Sequence, residues 1–334
     1  MTLDLPFIWA GLIAFAVLAY VTLDGFDLGI GILFPFGGNE ASRNLMMNSV
    51  APVWDGNETW LVFGGGGLLA VFPLAYAIIM PALYAPLIAM LIGLVLRGVA
   101  FEFRWRTRRG RFLWDAAFFA GSLVAALAQG LALGALVQGI KVSGRAYAGG
   151  WWDWLTPFSL MTAVALVVGY VLLGATWLNM KTTGEVQDRA RRVAMPAGIA
   201  LLVLIGIISL WTPFLHGYYY HKWLAFPAIL YTAPVPLLVA LAAYVLVESL
   251  AEQRDHLPFL AALALFVLSY IGLSISFYPY IVPGAVTIAA AAAPAKSLAF
   301  LLYGAVVLLP VILGYTIWSY WIFGGKLDPE AGYH

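Results

Sequence analysis

The stretch "VTLDGFDLGIG" at residues 21–31 sets two carboxylates, Asp24 and Asp27, three positions apart in an otherwise apolar run. Residues at that spacing share one face of a helix, so both acids point into one seam. A carboxylate at membrane depth is costly and marks either a shielded pair or a path for charge. Two chemistries therefore stand open: a proton or cation site, or an aspartate that caps a broken helix or pairs with an arginine. Gly25 and Gly29 beside the acids would let a neighbouring backbone approach closely.

A second cluster lies in "NSVAPVWDGNETWLVFGGGG" at residues 48–67, where Asp55, Asn57 and Glu58 sit between Trp54 and Trp60 just before an apolar run. Acids and amides in that place either cap the helix, satisfying its free amide donors, or extend a chain of protonatable groups from Asp24 and Asp27. A third segment, "LRGVAFEFRWR", puts Arg97 inside an apolar stretch. Glu102 is five residues on, a poor spacing for a same-face pair. Arg97 is thus expected to neutralise an acid on another helix, Asp24 or Asp27.

Metal and haem chemistry find little support. Of four histidines, His221, His256 and His334 fall in loops or the tail, and His216 only touches a helix end. With no cysteine, thiolate-held zinc and iron–sulfur clusters are excluded from the chain. The expectation is that no cofactor or metal is held here.

These residues need a scaffold, and composition says which kind. The 334 residues are 63% hydrophobic and 10% charged, far from the usage of soluble domains, so the expectation is an all-α integral membrane protein. A net charge of +1 argues against a nucleic-acid partner, which requires clustered uncompensated cations; membrane lipid is the surrounding partner. At about 20 apolar residues per span, the sequence predicts nine transmembrane helices near 8–34, 58–79, 82–103, 112–138, 157–180, 193–215, 228–249, 258–281 and 297–323, in one membrane domain over 1–334. "IIMPALYAP" is expected to turn the second helix into the third.

Residues 1–6 carry one acid and no base, so the first segment is expected to remain as a span and not to serve as a cleaved signal. Alternate loops hold twelve Lys and Arg against four, which predicts an outer N-terminus and a cytoplasmic C-terminus. Aromatic segments "WWDW" and "HGYYYHKW" fall on the poorer side, as interfacial rings do. In "SISFYPYIVPGAVT", Pro279 and Pro283 end a helix and free carbonyls that could face a partner or a lipid-soluble ligand.

Taken together, "TLDGFDLGIG", "NSVAPVWDGNETWLV", "LRGVAFEFR", "GATWLNMKTTGE", "SFYPYIVP" and "YTIWSYWIFG" resemble, in order and spacing, subunit II of the cytochrome bd-type quinol oxidases over essentially the whole chain. The lack of long outer insertions resembles the compact, cyanide-insensitive form. The resemblance implies two four-helix bundles plus one peripheral helix. It implies a partner, subunit I, holding haems b and d and the quinol site, in a complex of the bacterial cytoplasmic membrane that oxidises quinol and reduces O2 to water. Small single-helix accessory subunits and a structural quinone occur in some members. It also implies a share of the cytoplasmic proton route for Asp27 and Asp55, with Asp24 at a position that is acidic in relatives and Glu58 where relatives can have Gln. Two other readings are a scaffold subunit whose acids only cap and pair, and a proton-coupled transporter.

Overall fold

The computed structural model of the chain describes residues 4–327. His334 and residues 1–3 lie outside that range. Apart from two short hairpins, the architecture is helical: α1 (Leu5–Leu33), α2 (Glu40–Asn48), α3 (Trp54–Val71), α4 (Pro73–Ala82), α5 (Tyr84–Arg106), α6 (Arg111–Gln138), α7 (Pro157–Lys181), α8 (Gly184–Trp211), α9 (Gly217–Trp223), α10 (Ala228–Thr232), α11 (Pro234–Ala251), α12 (Leu257–Phe277), α13 (Ile288–Ala291) and α14 (Ala295–Ile322). Eight helical segments among the described residues are long and apolar enough to cross a membrane. The expected second span is the segment that falls short.

That span is corrected in its bounds. Instead of one helix over 58–79, α3 stops at Val71, and a separate short helix, α4, begins at Pro73. Proline lacks the amide hydrogen and pushes the residue before it out of the helical region, and Phe72 lies outside that region at φ −123° and ψ 61°. The C-terminal carbonyl of Val71 is met by the Ala293 amide at 2.8 Å. The reversal expected around Pro81 is thus spread over the whole of α4. Its success shows in Trp54, at the start of α3, which stacks on Phe101 near the end of α5 with ring centres 4.9 Å apart.

Other bounds move for local reasons. α8 begins at Gly184 and not near 193, because the polar stretch "GEVQDRARR" forms its first turns; hydropathy alone sees only the apolar remainder. The helix expected over 258–281 ends at Phe277, ahead of Pro279. The carbonyls freed there are already taken: the Lys222 ammonium donates to those of Ile275 and Ser276 at 3.0 Å each, and to that of Tyr278. A lysine at a helix C-terminus satisfies orphan acceptors and the negative end of the dipole together.

α1 runs through the middle, against α3, α6, α7 and α12. Small residues permit this. A Cβ on Gly29 would fall 1.8 Å from the Tyr170 carbonyl oxygen of α7, where Gly174 faces Gly29 in turn. Gly93 of α5 and Gly121 of α6 meet in the same manner. The two ends of the bundle differ. One is basic: Arg104 and Arg43 meet Asp115, Arg111 meets Glu40, and Arg189 meets the Gly37 carbonyl. The other is aromatic, with Phe7 against Tyr278 and Tyr84 against Trp151; it also carries the antiparallel hairpins β1 (Val142–Ser143) with β2 (Ala146–Tyr147) and β3 (Tyr280–Val282) with β4 (Val286–Thr287).

α14 is the least enclosed long helix. Its end is fastened at the basic face, where Lys326 reaches Asp255 at 2.8 Å and the Leu327 amide donates to the Lys181 carbonyl at 2.8 Å. Asp255 also accepts from Arg191 at 2.8 Å and Gln187 at 2.7 Å. The Lys326 hydrogen bond, more than the attraction of Arg191, holds the Asp255 carboxyl below its usual range. A depressed carboxyl contributes its stabilisation above the unfolded value and loses it as pH falls through the folded one. The fastening is therefore expected to hold at neutral pH and to release only below the ordinary aspartate range, seen as faster proteolysis of the tail in acid. Gly29→Ala is expected to wedge α1 from α7 and cost roughly 1–3 kcal/mol, as overpacked cores do, read as a lower unfolding midpoint of the purified protein.

Candidate functional site

Asp24 and Asp27 lie about two turns from the basic end of α1 and are fully buried. Gly25 and Gly29 pack onto Tyr170 of α7, and with that side closed the acids face α5 and α3. Arg97, on α5, donates from Nη1 to Asp24 Oδ1 at 2.6 Å and from Nη2 to Glu58 Oε1. Arg97 is itself 0% exposed. Burying an ion is repaid only when partners and hydrogen bonds surround it, and the guanidinium fork supplies two donors to two carboxylates on different helices. The expected neutralising role of Arg97 thus falls on Asp24.

Asp27 takes a different partner. Asn57, one turn into α3, donates from Nδ2 to Asp27 Oδ2 at 2.8 Å and to the Leu23 carbonyl at 3.2 Å. The Asn57 oxygen accepts from the Tyr320 hydroxyl of α14 at 2.9 Å. On the other side, Tyr20 lies one helical turn from Asp24; its hydroxyl accepts from Gln129 at 2.8 Å, and Gln129 accepts from Tyr170 at 2.7 Å. Six helices and nine polar side chains thus meet in one cluster. Three carboxyls face one guanidinium, so full ionisation leaves two negative charges in excess inside an apolar bundle. Asp24 Oδ2, Asp27 Oδ1 and Arg97 Nε are buried with no protein partner, each an atom with capacity for one more hydrogen bond.

Of the four residues singled out by sequence, the structure brings together Asp24, Asp27 and Glu58. Asp55 stands apart. It is exposed in the first turn of α3, where its charge suits the helix dipole; the helix starts ahead of it, and no side chain caps the terminus. Tyr320, Tyr20, Gln129 and Tyr170 gave no signal of their own, and Asn57 gave only that of a helix cap or a neighbour of acids. Asn57 sat inside a motif read for its acids, and Tyr320 inside an aromatic segment.

His216 Nε2 is engaged by the Gln138 carbonyl at 2.7 Å, and among the described residues no group of three or more His, Cys, Asp or Glu is placed to hold a metal ion.

Spans of this length, arranged around a charged and hydrogen-bonded seam, define a polytopic membrane protein. The comparisons with known proteins narrow that. The sequence profile of the family described as cytochrome bd terminal oxidase subunit II matches residues 5–323, and the chain belongs to that family. It is 31% identical to cytochrome bd-I ubiquinol oxidase subunit 2 of Escherichia coli K12, over 98% of this chain and 96% of that one. It is 28% identical to cytochrome bd ubiquinol oxidase subunit 2 of Bacillus subtilis 168, over 96% of each. The fold matches a chain of bd oxidase from Geobacillus thermodenitrificans with a TM-score of 0.76 at 17% identity, covering 96% and 99% of the two chains. The protein is accordingly a multi-pass subunit of a respiratory oxidoreductase of the bacterial cytoplasmic membrane, which displaces the transporter reading.

Arg97 is the charge on which the seam rests. Arg97→Leu leaves two carboxylates without their counter-charge and is expected to cost about 3–5 kcal/mol, measured as loss of folded complex in detergent extracts. Pairing it with Asp24→Asn should recover part of the yield, because the more deeply buried of the two orphaned charges is then removed.

Proposed function

We propose that this chain is the haem-free subunit of a quinol oxidase, pairing with a subunit I that holds haems b and d, oxidises quinol and reduces O2 to water. Within that complex, the chain supplies part of the proton route from the cytoplasm. The observation that carries the reading is the junction of buried Asp27 with the buried Asp24–Arg97 pair and the half-buried Glu58 near the basic end. The basic end would face the cytoplasm under the positive-inside rule, with the N-terminus outside.

The chemistry follows from the charge count. Water made from O2 takes up protons, and a proton held in the seam relieves the excess of carboxylate over guanidinium while it waits. Arg97 stays charged throughout and fixes Asp24 and Glu58, so a proton passing along the seam meets acceptors at constant geometry. Asp27, held by a neutral amide in place of a cation, is the member freest to change protonation.

Asp55 has a place in this scheme at the boundary with the partner. Asp55, Thr59, Val62, Gly66 and Leu69 follow a four-three spacing along one outward face of α3, and its small residues suit close contact with another helix. On this reading α3 is the ninth span, α1, α3, α5 and α6 form one four-helix bundle, α7, α8, α11 and α12 the other, and α14 is peripheral in a single membrane domain. Any accessory single-helix subunit or structural quinone would occupy outer faces. The scaffold alternative draws on Arg97, whose bridge from α1 to α3 and α5 is also a structural tie.

Asp27→Asn decides between them. Removal of a proton-transfer group typically lowers rates by about 10²–10⁴-fold, so quinol-driven O2 consumption of the purified complex is expected to fall at least about tenfold while the haem absorption spectrum stays unchanged. Unaltered turnover in Asp27→Asn, or loss of the haems, would favour the scaffold.

A further inference from the structure

A cleft of about 20 Å³ lies between the first turn of α3 and the last turns of α14, with Val53, Gly56 and Asn57 on one wall and Thr316, Ser319 and Tyr320 on the other. One water needs roughly 10–15 Å³ and two or more polar partners. The cleft meets both conditions: residues 316, 319 and 320 share one helical face and carry three hydroxyls, opposite the Asn57 amide. It sits at the basic end, and its floor is the residue that holds Asp27.

That floor cannot itself conduct. The Asn57 nitrogen donates to Asp27 and its oxygen accepts from Tyr320. Handing a proton through the amide would protonate Oδ1 and strip Nδ2, leaving an imidic acid that must revert before another proton could follow. A side chain so placed blocks, and the Tyr320 hydroxyl keeps it there. The wall bearing that hydroxyl belongs to α14, the least enclosed long helix, while the Tyr320 ring packs edge-on against Phe26 and Trp177; it is therefore the Asn57 amide, and not the tyrosine, that moves when the contact opens.

We propose that the α3–α14 cleft is the water-filled inlet through which protons reach Asp27, with Asn57 as its plug and Tyr320 as the positioning residue that locks the plug. The proposal rests on the reading of Asp27 as a proton carrier. When water in the cleft takes the place of the Tyr320 hydroxyl at Asn57 Oδ1, the amide turns aside and the water chain touches the aspartate.

The test uses the whole oxidase complex, reduced with quinol and mixed with O2, while a pH dye follows proton uptake from the medium and haem absorption reports assembly. Ser319→Leu fills the cleft from α14. Gly56→Leu fills it from α3, where a Cβ meets nothing within 4 Å. Each is expected to slow proton uptake about fivefold and to enlarge its slowing in D2O, with the quinol KM unchanged; Tyr320→Phe, which unlocks the plug, is expected to speed uptake about twofold. Should one filling variant fail to assemble, the other, on a different helix, carries the test. Wild-type uptake in the filled variants, alongside impaired uptake in Asp27→Asn, would overturn the inlet and leave the role of Asp27 standing. Tyr320→Phe as slow as the filled variants would put its hydroxyl on the route and overturn the lock. Unimpaired Asp27→Asn would overturn the underlying reading.

Discussion

A single guanidinium, Arg97, sets the terms for the whole bundle. Two buried carboxyls and a half-buried third are tolerable in an apolar bundle only where a counter-charge and hydrogen bonds are fixed among them, and the partners that meet this need come from α1, α3, α5 and α14. No one helix could satisfy the seam alone. The glycine contacts follow from the same need: with Gly25 and Gly29 pressed on α7, α1 turns its acids toward the helices that can answer them. Close packing on one side and charge pairing on the other are two halves of one placement.

The cluster at the basic end works on the same principle with a different outcome. Arg104, equally buried, binds Asp115 at 2.6 Å and Asn44 at 2.7 Å and lies over the ring of Phe34. It ties α2, α5 and α6 where each enters or leaves the bundle. There guanidinium outnumbers carboxylate, since Arg43 also leans on Asp115. In the central seam the carboxyls outnumber their partner, and the surplus is what makes it suited to carrying something mobile.

Charge in an apolar run is easily read from sequence, and this is why Asp24, Asp27 and the neutralising role of Arg97 were legible. Which acid Arg97 serves was not, because that depends on how α5 is rotated against α1, which no local pattern encodes. Asn57 and Tyr320 are neutral, and lie 263 residues apart; each had an ordinary local explanation, a helix cap and an interfacial ring. The long apolar helices were visible from hydropathy, but the break at Phe72 was not given its due, although Pro73 announces it by a local steric rule. The polar start of α8 escaped for the opposite reason, since it extends past the hydrocarbon that hydropathy measures. Asp55 entered the candidate site through the family resemblance, and the turn of α3 faces it outward.

The separation of partners along the chain has a consequence for biogenesis. Asp24 leaves the ribosome 73 residues ahead of Arg97, so the first span must wait in or beside the translocon with its acids unanswered, most cheaply in neutral form, until α5 arrives. Asn57 obtains its last partner only when the final helix is delivered. Newly made chains therefore pass through a stage in which the charge-bearing core is open to water and lipid, and quality control that senses intramembrane polarity would have until the end of synthesis to act on it.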